Sequence, residues 1–75
     1  MTTIYVALLN EGTPVWRLVS AEAIGGGVFR IPPDAPWDRE DEEWEFLPGE
    51  QVRCEQRVLS DGPVLVAVKR VAPAV

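Results

Sequence analysis

Turn-forming residues cut this chain into pieces too short for a fold built on long helices. Five such clusters interrupt its 75 residues: Asn10-Glu11-Gly12-Thr13-Pro14, Gly25-Gly26-Gly27, Pro32-Pro33, Pro48-Gly49 and Ser60-Asp61-Gly62-Pro63. Glycine supplies backbone angles that other residues avoid, and proline removes a backbone donor, so each cluster ends a regular element. The segments between them are rich in Val, Ile, Leu and aromatic residues, the composition of strands.

Read from the N-terminus, Thr2 to Leu9 sets Ile4, Val6 and Leu8 against Tyr5, Ala7 and Leu9, apolar on both sides. That pattern belongs to a strand covered on two faces or set in a barrel. Val15 to Ile24 follows; its first half is β-rich, and Ser20 to Ile24 is open to either strand or a helical turn. Val28 to Ile31 is a short strand stopped by Pro32-Pro33. Gln51 to Leu59 places Val52, Cys54, Gln56 and Val58 opposite Arg53, Glu55 and Arg57. An Asp-Gly hairpin turn leads to the last strand, Val64 to Val71, with Val64, Val66 and Val68 opposite Leu65, Ala67 and Lys69. The expectation is an all-β, five-stranded small barrel in a single domain, residues 1–75, with residues 72–75 a frayed tail. Closure removes the exposed edges that an open five-stranded sheet would leave.

A chain of this length buries only about 60% of its unfolded surface, so its stability margin is thin. No disulfide reinforces it, because Cys54 is the only cysteine; there is no histidine. That excludes a Cys–His nucleophile pair and every His-containing metal set. A lone thiol fits a reducing compartment, and the N-terminus lacks the basic and apolar stretches of a signal peptide, so the expected location is the cytoplasm. The six arginines and one lysine, with many Val, Ala and Pro, suit a GC-rich bacterial source.

The charge is concentrated. Residues 34 to 45 hold seven carboxylates (Asp34, Asp38, Glu40, Asp41, Glu42, Glu43, Glu45) against Arg39, a local balance of −6 in a chain whose net charge is −5. The remaining residues therefore sum to +1. This long acidic loop between strands 3 and 4 also carries Trp37 and Trp44. The run Glu40 to Glu43 repels itself, so the segment is expected to be less ordered than the strands.

The lead-in Trp44-Glu-Phe46-Leu-Pro48-Gly49-Glu-Gln-Val52 resembles the aromatic-x-Pro-Gly-x-x-Val turn into a strand of SH3-like small barrels. Tyr5-Val-Ala-Leu-Leu, Glu11-Gly-Thr-Pro-Val-Trp16-Arg17, Val52-Arg-Cys-Glu55 and Leu59-Ser-Asp-Gly62 extend the resemblance over nearly the whole chain, to short stand-alone bacterial proteins of uncharacterised activity. It implies an SH3-like barrel in which Val52 points into the core. It implies no activity, because such barrels bind peptides, nucleic acids and protein surfaces alike.

Three functional readings follow. The first is a non-enzymatic interaction module that docks a basic protein surface, as an inhibitor or immunity-type adaptor would. Its partner-binding residues are Asp34, Trp37, Asp38, Glu40, Asp41, Glu42 and Glu43. Trp37 serves there as an apolar anchor or simply lids the barrel end, while Trp16 and Trp44 pack in or over the core. The second is a nucleic-acid-binding barrel using Arg17, Arg53, Arg57 and Lys69, weakened by the acidic net charge. The third is a homo-oligomeric structural protein joined at a strand edge. No cofactor or metal is expected: the acidic spacing lacks the ligand ladder of a calcium loop, and no carboxylate pair sits in a rigid setting suited to acid–base catalysis. Cys54 reads as a buried apolar thiol.

Overall fold

The computed structural model describes residues 1–60 and 62–72. Five strands succeed one another: β1 (Thr2–Ala7), β2 (Trp16–Gly25), β3 (Val28–Arg30), β4 (Gln51–Leu59) and β5 (Gly62–Val71). Each pairs antiparallel with the next, and the sheet closes as β1-β2-β3-β4-β5. An odd number of alternating strands brings the first and last together running the same way. The closing contact is accordingly parallel, at Tyr5 and Val66. Residues 20–24 are strand, continuous with Trp16–Val19, which resolves the alternative left open by the sequence. Among the described residues no helix is long and apolar enough to cross a membrane. Asp61 of the Asp-Gly turn and residues 73–75 of the expected frayed tail lie outside the described residues.

The β2–β3 turn is three glycines with φ of 128°, 61° and 81°, a run that L-residues with a Cβ do not sustain. Gly49 repeats the device before β4 at φ 90°. Alternation then selects the core. Ile4, Val6, Val19, Ala21, Phe29, Val52, Cys54 and Ala67 face inward and are buried. The β3–β4 connection, residues 31–50, completes the cluster with Ile31, Trp44 and Phe46. This connection is therefore acidic outside and aromatic within.

Two face assignments made from the sequence need correction. On β5, strict alternation groups Lys69 with Leu65 and Ala67. The β4–β5 ladder instead slips between Arg53 and Cys54, whose partners are Lys69 and Ala67, leaving Val68 as the extra residue. A bulge inverts the parity beyond it. Arg70 thus pairs with buried Val52, and its guanidinium lies over Phe46, 5.4 Å from the ring centre. Lys69 turns outward beside Arg53. On β4, the inward alternation expected through Gln56 and Val58 stops being buried after Cys54. Its partner β3 reaches only to Arg53, and Val58 is 80% exposed. Opposite Glu55 and Gln56 the β5 residues Val66 and Leu65 still pack on the barrel, and beyond them, among the described residues, the β4–β5 hairpin carries no buried residue.

Cys54 is 8% exposed, and burial pushes its thiol up to about 11 from 9.0. Only the thiolate is nucleophilic, so the native chain should react with a thiol reagent at pH 8 about a hundredfold more slowly than the urea-unfolded chain. Equal rates would show that the thiol is accessible.

Candidate functional site

The acidic segment is shaped by short local bonds. Ala35 N–H donates to the Pro32 carbonyl at 3.1 Å, and Asp41 and Glu42 N–H both donate to the Asp38 carbonyl, at 3.1 and 2.8 Å. The Asp38 carboxylate also accepts the Glu40 N–H at 3.1 Å. These turns need no strand partner and suit a run of carboxylates that must stay in water.

From Glu43 onward the chain docks on the barrel. Leu9 N–H donates to the Glu43 carbonyl at 2.7 Å, and Glu45 N–H to the Ala7 carbonyl at 2.9 Å, forming a single antiparallel bridge between Leu8 and Trp44. Trp44 is 2% exposed. Its indole N–H donates to the Glu42 carboxylate at 3.0 Å, and the Trp37 indole N–H donates to the Glu42 carbonyl at 3.1 Å. Arg17, at the start of β2, adds its Nε–H to the same carboxylate at 3.2 Å and forms an ion pair with it through Nη2. Glu42 is thus the hub that clamps the segment to β2.

Trp37 takes the lidding position. It is half-buried, packs on the core, tilts against Trp44 with ring centres 6.4 Å apart, and carries Arg39 over its own face at 5.1 Å. Asp34, Asp38, Glu40, Asp41 and Glu43 are exposed, while Glu42 is turned inward. Glu43 accepts a hydrogen bond from Asn10 Nδ2 at 2.7 Å. Glu40, Asp41, Glu42 and Glu43 line an open depression of about 280 Å³ together with Leu9, Asn10, Glu11 and Arg39. Sequence reasoning missed Asn10 and Glu11, which the β1–β2 connection brings alongside, and it did not foresee Arg17 as the clamp. No local signal marks either relation.

Among the described residues, Glu42 is the only carboxylate of residues 34–45 that is ion-paired. The other ion pairs are Arg57 with Glu55 and Arg70 with Glu50. The Arg70 side chain, hydrogen-bonded to Glu50, holds that carboxyl below its ordinary range. Of the bases suggested for nucleic-acid binding, Arg17 and Arg57 are therefore engaged by carboxylates, and Arg53 donates to the Gly26 carbonyl at 3.1 Å. No group of three or more metal-ligating side chains occurs among the described residues.

A second depression, about 500 Å³, is lined by Tyr5, Pro14, Trp16, Val58, Leu59 and Ser60. Tyr5 and Trp16 meet edge-to-face at 6.5 Å on the outer side of β1 and β2. Trp16 thus packs over the sheet rather than inside it. No family model, curated protein or solved structure matches this chain.

Proposed function

We propose that the protein is a non-enzymatic interaction module that presents residues 34–45 to a basic protein surface. The observation that carries this is the combination of unneutralised charge with a fixed scaffold. Asp34, Asp38, Glu40, Asp41 and Glu43 have no base partner among the described residues, yet Glu42, Trp37 and Trp44 hold their backbone against the barrel. A preorganised acidic surface loses less entropy on docking than a floppy one, and its field speeds encounter with a cationic partner. In this reading Asp34, Asp38, Glu40, Asp41 and Glu43 meet the partner, Trp37 underlies the contact, and Glu42 positions it. The barrel itself we assign to the SH3-like kind. The Trp44-x-Phe46-x-Pro48-Gly49-x-x-Val52 lead-in supports this, with Phe46 and Val52 buried and Gly49 at positive φ. An inhibitor or immunity-type role in a bacterial cytoplasm fits this reading.

The test is calorimetric titration with an arginine-rich peptide at about 0.02 M and about 0.5 M salt, which bracket the 10 Å Debye length at roughly 0.1 M. Removing two charges by Glu40→Gln with Asp41→Asn should weaken binding roughly tenfold at low salt, whereas Glu22→Gln with Glu55→Gln should leave it within about twofold. Equal losses from the two pairs would mean that the peptide senses only net charge, and the proposal would fail.

A further inference from the structure

The bases that have no carboxylate partner among the described residues are Arg30, Arg39, Arg53 and Lys69. Arg39 belongs to the acidic segment and lies over Trp37. The other three share one outer sheet face. Arg53 is directly opposite Lys69 across β4 and β5, and directly opposite Val28 across β3 and β4. Arg30, two residues after Val28, is therefore Arg53's diagonal neighbour on that face. The bulge at Val68 creates the arrangement, because without it Lys69 would point inward.

Like charges directly opposite on a sheet are destabilising. Glu22 faces Arg30 across β2 and β3 but forms no ion pair with it. The free protein thus carries a face with three bases outside any ion pair, with Glu22 the carboxylate opposite Arg30 and Arg53 bonded only to the Gly26 carbonyl, as well as an anionic segment whose exposed carboxylates are not ion-paired among the described residues, on different elements of one small barrel.

We infer that the basic surface docked by the acidic segment is supplied by a second copy of this chain, through Arg30, Arg53 and Lys69. This rests on the reading of residues 34–45 as a docking surface and names its partner. Charge complementarity argues for a second copy, since both halves of the pair are present on the same molecule. The two faces differ, so the contact is heterologous and propagates into a ring or an open chain. Both charged faces are exposed, so association is weak and strongly salt-dependent.

Sedimentation velocity tests this. The wild-type mass should rise with concentration at about 0.02 M salt and return to monomer at about 0.5 M. Glu40→Gln/Asp41→Asn/Glu43→Gln, which keeps the basic face, and Arg53→Gln/Lys69→Gln, which keeps the acidic one, should each lower the self-association constant at least about tenfold. Mixed together they should form a 1:1 complex and nothing larger, because each then offers one intact face. Circular dichroism establishes that both variants are folded. A wild-type chain that is monomeric at low salt, or variants that associate like wild type, would overturn the inference. If the arginine-rich peptide still binds such a monomer through Glu40 and Asp41, only the self-pairing fails. If single-stranded DNA binds the monomer and releases on Arg53→Gln/Lys69→Gln, the cationic face serves a polyanion instead, which also overturns it.

Discussion

Replacing Trp44 with alanine should remove a large share of the protein's stability. Trp44 is 2% exposed and lies in the core cluster, although it comes from a connection rather than a strand. Removing a buried tryptophan side chain costs about 3–5 kcal/mol, from lost transfer free energy and the cavity left behind. A chain of this size has a total stability of only about 4–11 kcal/mol. The melting temperature should fall by more than about 12 °C, since each kcal/mol shifts a small domain by roughly 4–8 °C. Trp44→Phe, which keeps most of the volume and loses only the indole donor, should retain more than half of that margin. Thermal melts followed by circular dichroism decide the matter: an alanine variant melting within about 5 °C of wild type would show that the core does not depend on this connection.

The second large effect is expected at Glu42. Its carboxylate accepts from Trp44 and Arg17, and its backbone carbonyl from Trp37. Two contributions compete to explain its importance. The ion pair with Arg17 is modest, about 0–1 kcal/mol, because the Arg17 side chain is 45% exposed and screened by water. The bond from the Trp44 indole matters more, because a buried donor left without an acceptor costs about 1–3 kcal/mol. Glu42→Ala should therefore destabilise by roughly 1–3 kcal/mol, more than Arg17→Ala at under about 1 kcal/mol. Glu42→Gln, which keeps an acceptor oxygen, should fall between them. Amide exchange should quicken at Leu9 and Glu45, whose N–H groups hold the segment to β1. If Arg17→Ala costs as much as Glu42→Ala, the clamp is electrostatic and this ranking is wrong. The same variants bear on function, because a loosened segment should lose part of its preorganisation and bind the arginine-rich peptide more weakly.

These two residues mark where reading along the chain succeeds and where it stops. Trp44 is legible as core because it sits two residues before Phe46 in an aromatic lead-in to a Pro-Gly turn. Glu42 is not, since among Glu40, Asp41, Glu42 and Glu43 nothing local distinguishes the inward carboxylate from the outward ones. Its partner Arg17 is 25 residues away in sequence. The self-repulsion of that run suggests loose order. The turns about Asp38, the Glu42 hub and the Leu8–Trp44 bridge are long-range or side-chain-specific bonds that charge counting does not register.

Local chemistry is sufficient for the strand count, the turn positions and the all-β class. Positive φ at Gly25, Gly26, Gly27 and Gly49 and the missing donors of Pro32 and Pro33 act within a few residues of where they stand. Face assignment is another matter. A single extra residue at Val68 exchanges Lys69 for Arg70 at the register position opposite buried Val52, and a bulge is settled by how β4 and β5 fit around the closing barrel. Alternation is a property of one strand, whereas register, closure and the choice of which carboxylate turns inward are properties of contacts between strands. Those contacts exist only once the ring has closed. That is why the acidic segment is visible along the chain, while its clamp and the cationic face of Arg30, Arg53 and Lys69 emerge from the folded barrel.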